Sequence, residues 1–287
     1  MDITFRSSRG LDVAASDDSA GSVFRAFYEG YDQAFTLPDE KESREGFVEC
    51  MDLNRGPDFR RISARLGPFR ELVVTAEIDG VPAGGANFLV TPLPDHAVVT
   101  LNLNYLFVRP GLRGRGLSRR LVDACRELAE WLFPCGGPVL VFLEMNDPLL
   151  ITAEQYEQDS AVSGIDQFDR IAIWAKLGVR IVDFPYVQPP LSAAQEADGN
   201  LLYGLLADSP VELTGGLLAD HLERFFAISV LKNGDVESNE LAAEQVRTCR
   251  RIGSIGLLDP LPGLADLRQK VGTASNGIRR ELVAHAT

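Results

Sequence analysis

YLFVRPGLRGRGLSRR, residues 105–120, decides the reading of this chain: an apolar run, a Pro-Gly turn, an Arg-Gly-Arg-Gly loop and the opening of a helix follow one another without a break. Glycines at 114 and 116 let the backbone turn tightly and approach a ligand with no Cβ in the way. The amide N–H groups from Arg113 to Ser118, including those of Gly114, Arg115, Gly116 and Leu117, are then expected to open the helix RRLVDACRELAEWL as its unpaired donors. A helix dipole favours an anion at that end by roughly 0.3 to 2 kcal/mol. The order of elements therefore predicts a cradle for a pyrophosphate.

Three kinds of loop answer that description. A P-loop needs Gly-Lys-Ser/Thr after its last glycine, whereas Gly116 is followed by Leu117 and Ser118. A dinucleotide fingerprint needs a small residue three positions after its second glycine, and position 119 is Arg. The third kind fits: RGRGLS resembles the Arg/Gln-x-x-Gly-x-Gly/Ala signature of the GNAT acyltransferase superfamily, with Arg113, Gly116 and Ser118 at the defining positions. Ser118 departs from the usual Gly or Ala but is still small.

The flanks extend the resemblance. RELVVTAEIDG, VPAGGANFLVTP and AVVTLNLNYLFV are β-branched-rich runs separated by turn residues, and read as a meander of strands. PVLVFLEMN reads as a buried strand, FDRIAIWAKLG as a helix ending at Gly178, and DFPYVQPPL and NLLYGLLA as a closing strand pair. WAKLGV is similar to the family's Tyr-x-x-Leu-Gly-Phe helix end. The expected fold is α/β (α+β) of GNAT type, a mixed and mostly antiparallel central sheet flanked by helices. Residues 1–207 are the expected acyl-CoA-binding domain and 208–287 a helical C-terminal extension.

Near the N-terminus, SAGSVFRAFYEGYDQAF carries a helical stripe from Val23 to Phe35 with Asp17 to Ser19 as capping residues, and a second helix is expected from about Glu40 to Leu53. In the extension, LADHLERFFAISVL, ELAAEQVRTCRRIG and PGLADLRQKV read as helices. This appendix is expected to dock on the core, to form a homodimer contact, or to close the acceptor site.

Charge narrows the function. The net charge is -13, and nine acidic and nine basic residues from Gly215 onward place the whole excess before it, which argues against nucleic-acid binding. Between Arg126 and Arg170 no Lys or Arg occurs, while Glu127, Glu130, Glu144, Asp147, Glu154, Glu157, Asp159, Asp166 and Asp169 do. Arg109, Arg113, Arg115, Arg119 and Arg120 crowd the loop before it. The reading is of one side for phosphate and another for a cation. No apolar run approaches the roughly 20 residues of a membrane span, and MDITFRSSRG has no apolar signal core, so a cytoplasmic location with no membrane partner is expected. Cys50, Cys125, Cys135 and Cys249 lack Cys-x-x-Cys spacing, and with only His96, His221 and His285 beside them no metal site is expected.

The family resemblance implies acetyl-CoA, or another acyl-CoA, as co-substrate and direct attack by the amine of a small acceptor. Main-chain groups of Leu106, Phe107 and Val108 would hold the pantetheine arm where their strand splays from its neighbour, and Asn104 and Tyr105 would position a water or the acceptor. An alkyl amine with a pKa of about 10.4 must lose a proton before it attacks. Glu144, ending the strand PVLVFLE, is the candidate base. The family's tyrosine acid is replaced by Trp174, which leaves Tyr156 and Tyr186 as candidates for that role. Asp39, Glu40 and Glu42 are expected near the acceptor's rim. The long connection DPLLITAEQYEQDSAVSGID, with Glu154, is the candidate acceptor loop. The leading expectation is an N-acetyltransferase for a small cationic amine. Its alternatives are a non-catalytic acyl-CoA sensor and an acyltransferase with a longer acyl donor or a hydroxyl acceptor.

Overall fold

A computed structural model describes residues 1–37, 41–134, 137–192, 195–273 and 275–286. A hairpin of β1 (Asp2–Arg6) and β2 (Asp12–Ser16) precedes α1 (Ser22–Ala34), α2 (Arg44–Asp52) and α3 (Gly56–Leu66). The meander follows as β3 (Arg70–Ile78), β4 (Val81–Leu93) and β5 (Val98–Val108). Then come α4 (Leu117–Leu132), β6 (Val139–Asn146), α5 (Ala153–Ser163), α6 (Gln167–Leu177), β7 (Arg180–Val182) and β8 (Leu201–Leu206). The remainder holds β9 (Leu213–Thr214), α7 (Gly215–Phe225), α8 (Glu240–Arg251), β10 (Ser254–Ile255), β11 (Leu257–Leu258), α9 (Leu264–Arg268) and α10 (Ile278–Ala286).

The main sheet has the order β1-β2-β3-β4-β5-β6-β8-β7-β11. Only β5 and β6 pair in parallel, from Val99↔Val139 to Leu103↔Leu143. Beyond that last pair β5 runs on to Val108 and β6 to Asn146 with no ladder between them, so a gap opens in mid-sheet. The expected mixed, mostly antiparallel sheet with flanking helices is the observed fold.

Strand side chains alternate between faces, and here the alternation sorts chemistry. Leu72, Val74, Phe88, Val90, Leu101, Leu103, Val141 and Leu143 face the core beneath α4 and α6. The opposite face holds two separate apolar clusters. One is aromatic, built by Phe24, Phe27, Tyr31, Phe47 and Phe107 under α1 and α2. The other, under α3, α7 and α8, includes Leu140, Phe142, Tyr203, Leu218, Leu222 and Phe226. Polar positions Glu71, Asn87, Asn102 and Glu144 fall on that face between the two clusters. A bulge where Asn87↔Tyr105 is followed by Phe88↔Leu103 sets Asn104 out of register, and the parity of β5 switches there.

Several expectations shift. The second helix begins at Arg44 rather than near residue 40, because the Ser43 side chain accepts a hydrogen bond from Gly46 N and caps it there. α1 is entered from Gly21 without a side-chain cap, so Asp17 to Ser19 do not serve that role. DFPYVQPPL is not a full strand: after Val182 the chain makes only an isolated bridge, Gln188↔Asp198, since Pro185, Pro189 and Pro190 bring no N–H to a ladder. The long connection after β6 contains α5, entered through a capping box of Thr152 and Gln155. α7 and α8 share an apolar core with β4, β6 and β8, so residues 208–287 are docked on the sheet rather than forming a separate unit.

Candidate active site

The loop is built as its glycines require. Gly114 and Gly116 take φ of 77° and 69°, and a Cβ at either would meet nothing within 4 Å. The left-handed conformation, not crowding, is what demands glycine there. Residues 110–112 form a 3₁₀ turn, and Gly116 is the residue from which α4 starts. The Arg113 N–H is not an open donor: it bonds to Pro110 O at 3.2 Å. The open donors therefore begin after it, with the first turn of α4. The Arg113 side chain crosses from Val108 O, 3.4 Å from Nε, to Ser163 O, 3.0 Å from Nη1, and so ties the loop to the end of α5. Arg119 reaches Leu177 O at 3.0 Å, where α6 ends. Arg109 and Arg115 are exposed on the loop.

Alternation divides the three residues before the loop. Arg109 N donates to Ala83 O across to β4, so Phe107 turns its main chain toward β4 as well, while Leu106 and Val108 turn theirs toward the gap. Phe107 instead contributes its ring, which packs 5.9 Å from Phe27 and close over Gly30 and Gly85.

A cavity of about 210 Å³ lies at the gap, lined among others by Glu42, Glu71, Asn104, Tyr105, Leu106, Glu144, Trp174 and Ser229. Glu144 is partly buried, accepts hydrogen bonds from the Tyr186 hydroxyl and from Gln188 Nε2 (3.0 Å), and is pushed up to about 7 by burial. Tyr186 is 4% exposed, stacked 4.5 Å from Tyr203, and does not line the cavity; its proton is committed to Glu144. Its burial holds the phenol well above its ordinary range.

Glu71, which sequence reasoning passed over, is the second carboxylate of this cavity. It is 1% exposed and accepts from Asn87 Nδ2 at 2.7 Å, Asn104 Nδ2 at 3.0 Å and Ser229 Oγ at 2.7 Å. Burial lifts it too to about 7. Asn104 also donates to Asn87 Oδ1 (3.0 Å) and accepts from Asn102 Nδ2 (2.8 Å), so its amide is spent on holding Glu71 rather than on a water. Asn102 Oδ1 in turn accepts from Tyr203 at 2.7 Å, beside His221, whose imidazole burial depresses to about 3. A signal was present: asparagines are depleted in strands, and three of them stand inside β4 and β5. Ser229 had none, since it sits in a π-helical turn, Phe226–Val230, that interrupts an otherwise helical pattern.

Tyr105 lines the cavity with its ring packed edge-on to Tyr31 at 4.8 Å and Phe35 at 5.2 Å. Trp174 lines it from α6. Glu42 does as well, paired with Lys232 Nζ at 2.6 Å. Asp39 and Glu40 lie outside the described residues. Tyr156 is not in the cavity: its hydroxyl bonds Asp166, the residue that caps α6. Glu154 is exposed in the first turn of α5 and borders neither this cavity nor a second cleft of about 590 Å³, which shares Asn146, Gln188, Leu191 and Asp198 with it. Gln155, Gln158 and Asp159 of α5 do line that cleft.

The acid-only stretch is used differently from the expectation of a cation-attracting side. Asp147 accepts from Ile278 N at 2.8 Å, Asp159 pairs with Arg170 at 3.1 Å, and Asp166 and Asp169 pair with Arg268. These acids fasten α6, α9 and α10; of the acids named for the stretch Glu144 alone lines the cavity, beside Glu42, Glu71 and Asp198 from outside it. Among the described residues no group of three or more His, Cys, Asp and Glu side chains is placed to hold a metal, and no helix is long and apolar enough to cross a membrane.

No curated protein matches the sequence. Among solved structures, a protein from Bacteroides thetaiotaomicron assigned to the GNAT family is similar at 15% identity, over 72% of this chain and 92% of its own, with a TM-score of 0.47. The ribosomal-protein-S18-alanine N-acetyltransferase from Escherichia coli is 17% identical, over 69% and 96%, with a TM-score of 0.37. An aminoglycoside 6'-N-acetyltransferase complexed with coenzyme A is 16% identical, over 69% and 98%, with a TM-score of 0.40. The sequence of residues 25–149, from α1 through β5, the glycine loop and α4 to the end of β6, matches the acetyltransferase (GNAT) family, and the chain therefore carries an acetyltransferase domain of the GNAT family over those residues.

Proposed function

We propose that this protein is an acyl-CoA-dependent N-acetyltransferase for a small cationic amine. The observation that carries the reading is Glu144, oriented by Tyr186 and Gln188 at the point where the β5–β6 ladder ends and a cavity begins. The donor pyrophosphate would take the amides of Gly114 to Ser118, aided by Arg115 and the start of α4. The pantetheine arm and thioester would follow the main-chain edge of Leu106 and Val108 into the gap. Phe107 is a packing residue in this scheme.

The acceptor enters as an ammonium and gives one proton to the Glu144 carboxylate. The nitrogen then bonds to the thioester carbonyl carbon, the carbon–sulfur bond breaks, and the sulfur leaves with the electron pair. A carboxylate near 7 is matched to this task, because half of it is ionised at neutral pH and it still accepts a proton strongly. Tyr186 acts through Glu144 as a positioning residue. Trp174, with no acidic proton at neutral pH, leaves the thiolate to depart unassisted or to take the proton the nitrogen sheds.

The test is thiol release from acetyl-CoA with a panel of small amines. Turnover is expected with the wild type, and Glu144→Gln is expected to lower kcat by about 10²- to 10⁴-fold. Unchanged turnover in that variant would remove Glu144 from the mechanism. Coenzyme A binding with no turnover on any amine would favour a non-catalytic acyl-CoA-binding role.

A further inference from the structure

Glu71 has no part in the proton transfer just described, yet it is more deeply buried than Glu144, and both line the cavity with Glu42, which pairs with Lys232, and Asp198. Its hydrogen-bond donors Asn87, Asn104 and Ser229 are all neutral amides or hydroxyls. The ammonium nearest in influence, Lys232, is bonded to Glu42 and to Leu191 O. A buried carboxylate held by neutral donors either takes up a proton or stays charged at a cost that an arriving cation removes. The cavity is the place from which one can arrive.

The two carboxylates stand apart. Glu71 is on β3 and Glu144 on β6, three strand spacings across the sheet and two residues further along it, so their main chains are at least roughly 14 Å apart. Both side chains line the same cavity, and between them its lining is mixed: Phe47, Tyr105, Leu106 and Phe225 are apolar or aromatic, while Asn87 and Asn104 are polar. Its volume is about 210 Å³. Two anions separated by apolar side chains and by amides already bonded to Glu71 and to each other complement an alkyl chain with a cation at each end. A hydroxyl-rich amino sugar would need polar partners along its length, and Asn87 and Asn104 have already committed theirs to Glu71 and to each other.

We infer that Glu71 determines acceptor specificity: it holds the second ammonium of a short α,ω-diamine whose first amino group is presented to Glu144, and Ser229 of the C-terminal segment positions it. This rests on the N-acetyltransferase reading for the second half of the statement only, since the binding of the diamine stands without turnover. Ser229 reaches the site because α7 ends in the π-helical turn, which the extension alone supplies.

The experiment compares α,ω-diaminoalkanes of graded length with n-alkylamines of matched length, as kcat/KM in thiol release with acetyl-CoA. The wild type is expected to prefer the diamine by about 10- to 100-fold. In Glu71→Gln, which keeps the side-chain shape, that ratio is expected to fall close to 1, and Ser229→Ala to lie between. A wild-type ratio near 1, or the same ratio in Glu71→Gln, overturns the inference. Should no amine release thiol, the N-acetyltransferase reading is what fails, and calorimetric titration of the coenzyme A-loaded protein with the same amines decides this one. Diamine binding weakened at least tenfold by Glu71→Gln sustains it, and equal binding in both proteins overturns it.

Discussion

Glu71 and Glu144 have the same ordinary pKa and are both lifted to about 7 by burial, but their surroundings assign them different consequences. For Glu144 the consequence is a pH profile. The base must be ionised to accept a proton, so kcat/KM for the amine is expected to rise with pH through about 7, and this limb is expected to vanish in the residual activity of Glu144→Gln. For Glu71 the consequence is stability. In the unfolded chain a glutamate titrates near 4.3, so between there and about 7 the folded state binds more protons and loses stability as pH rises. His221, depressed to about 3, works in the opposite sense, its neutral burial costing stability as pH falls below about 6.5. Subtraction separates them: the unfolding free energy of the wild type minus that of Glu71→Gln is expected to fall from pH 4 to pH 8 in urea titrations. A flat difference would mean that Glu71 titrates alike in both states. Glu144 was legible as an acid ending an apolar strand. Glu71 was not, because near the start of a strand a buried acid and a solvated one are written the same way.

The loop and its helix are where sequence and structure agree most closely. Positive φ at Gly114 and Gly116 is a local requirement, coded by two residues, and the helix that follows is coded by its own periodicity. Gly116→Val is expected to cost about 1–2 kcal/mol for the left-handed conformation. It is expected to raise KM for acetyl-CoA about 10- to 100-fold through lost amide contacts, with a smaller effect on KM for the amine. Steady-state kinetics with each substrate varied in turn checks the split. Other elements were less legible. α3 went unread although Pro57 in its first turn and Gly67 at its C-terminal end are ordinary helix signals, and the end of the sheet at β7 was shortened by three prolines. The acidic stretch misled for a physical reason: with no base near it in sequence it reads as unpaired, yet Arg170, Arg268 and the α10 main chain come to it from later in the chain.

The extension is part of the fold rather than an appendage. Leu218, Leu222, Phe225 and Phe226 are each at most 2% exposed against the sheet, and at roughly 1.5–3 kcal/mol per buried side chain they account for about 6–12 kcal/mol. That is comparable to the entire stability of a domain, about 5–15 kcal/mol. Removing residues 215–287 is therefore expected to abolish cooperative thermal unfolding, read by circular dichroism, rather than to leave an active core. A truncated chain with a sharp transition would contradict this. The sequence alone was sufficient for the glycine loop, the strand order around it, the family and the position of Glu144, because each rests on short-range patterns: φ at a glycine, alternation in a strand, period in a helix. The cavity proposed for the acceptor was decided only in three dimensions. Glu71, Asn104, Glu144 and Ser229 come from four separate elements, and what makes them a site is the mid-sheet gap and the docking of the last helices, contacts between residues far apart in the chain that no local pattern encodes.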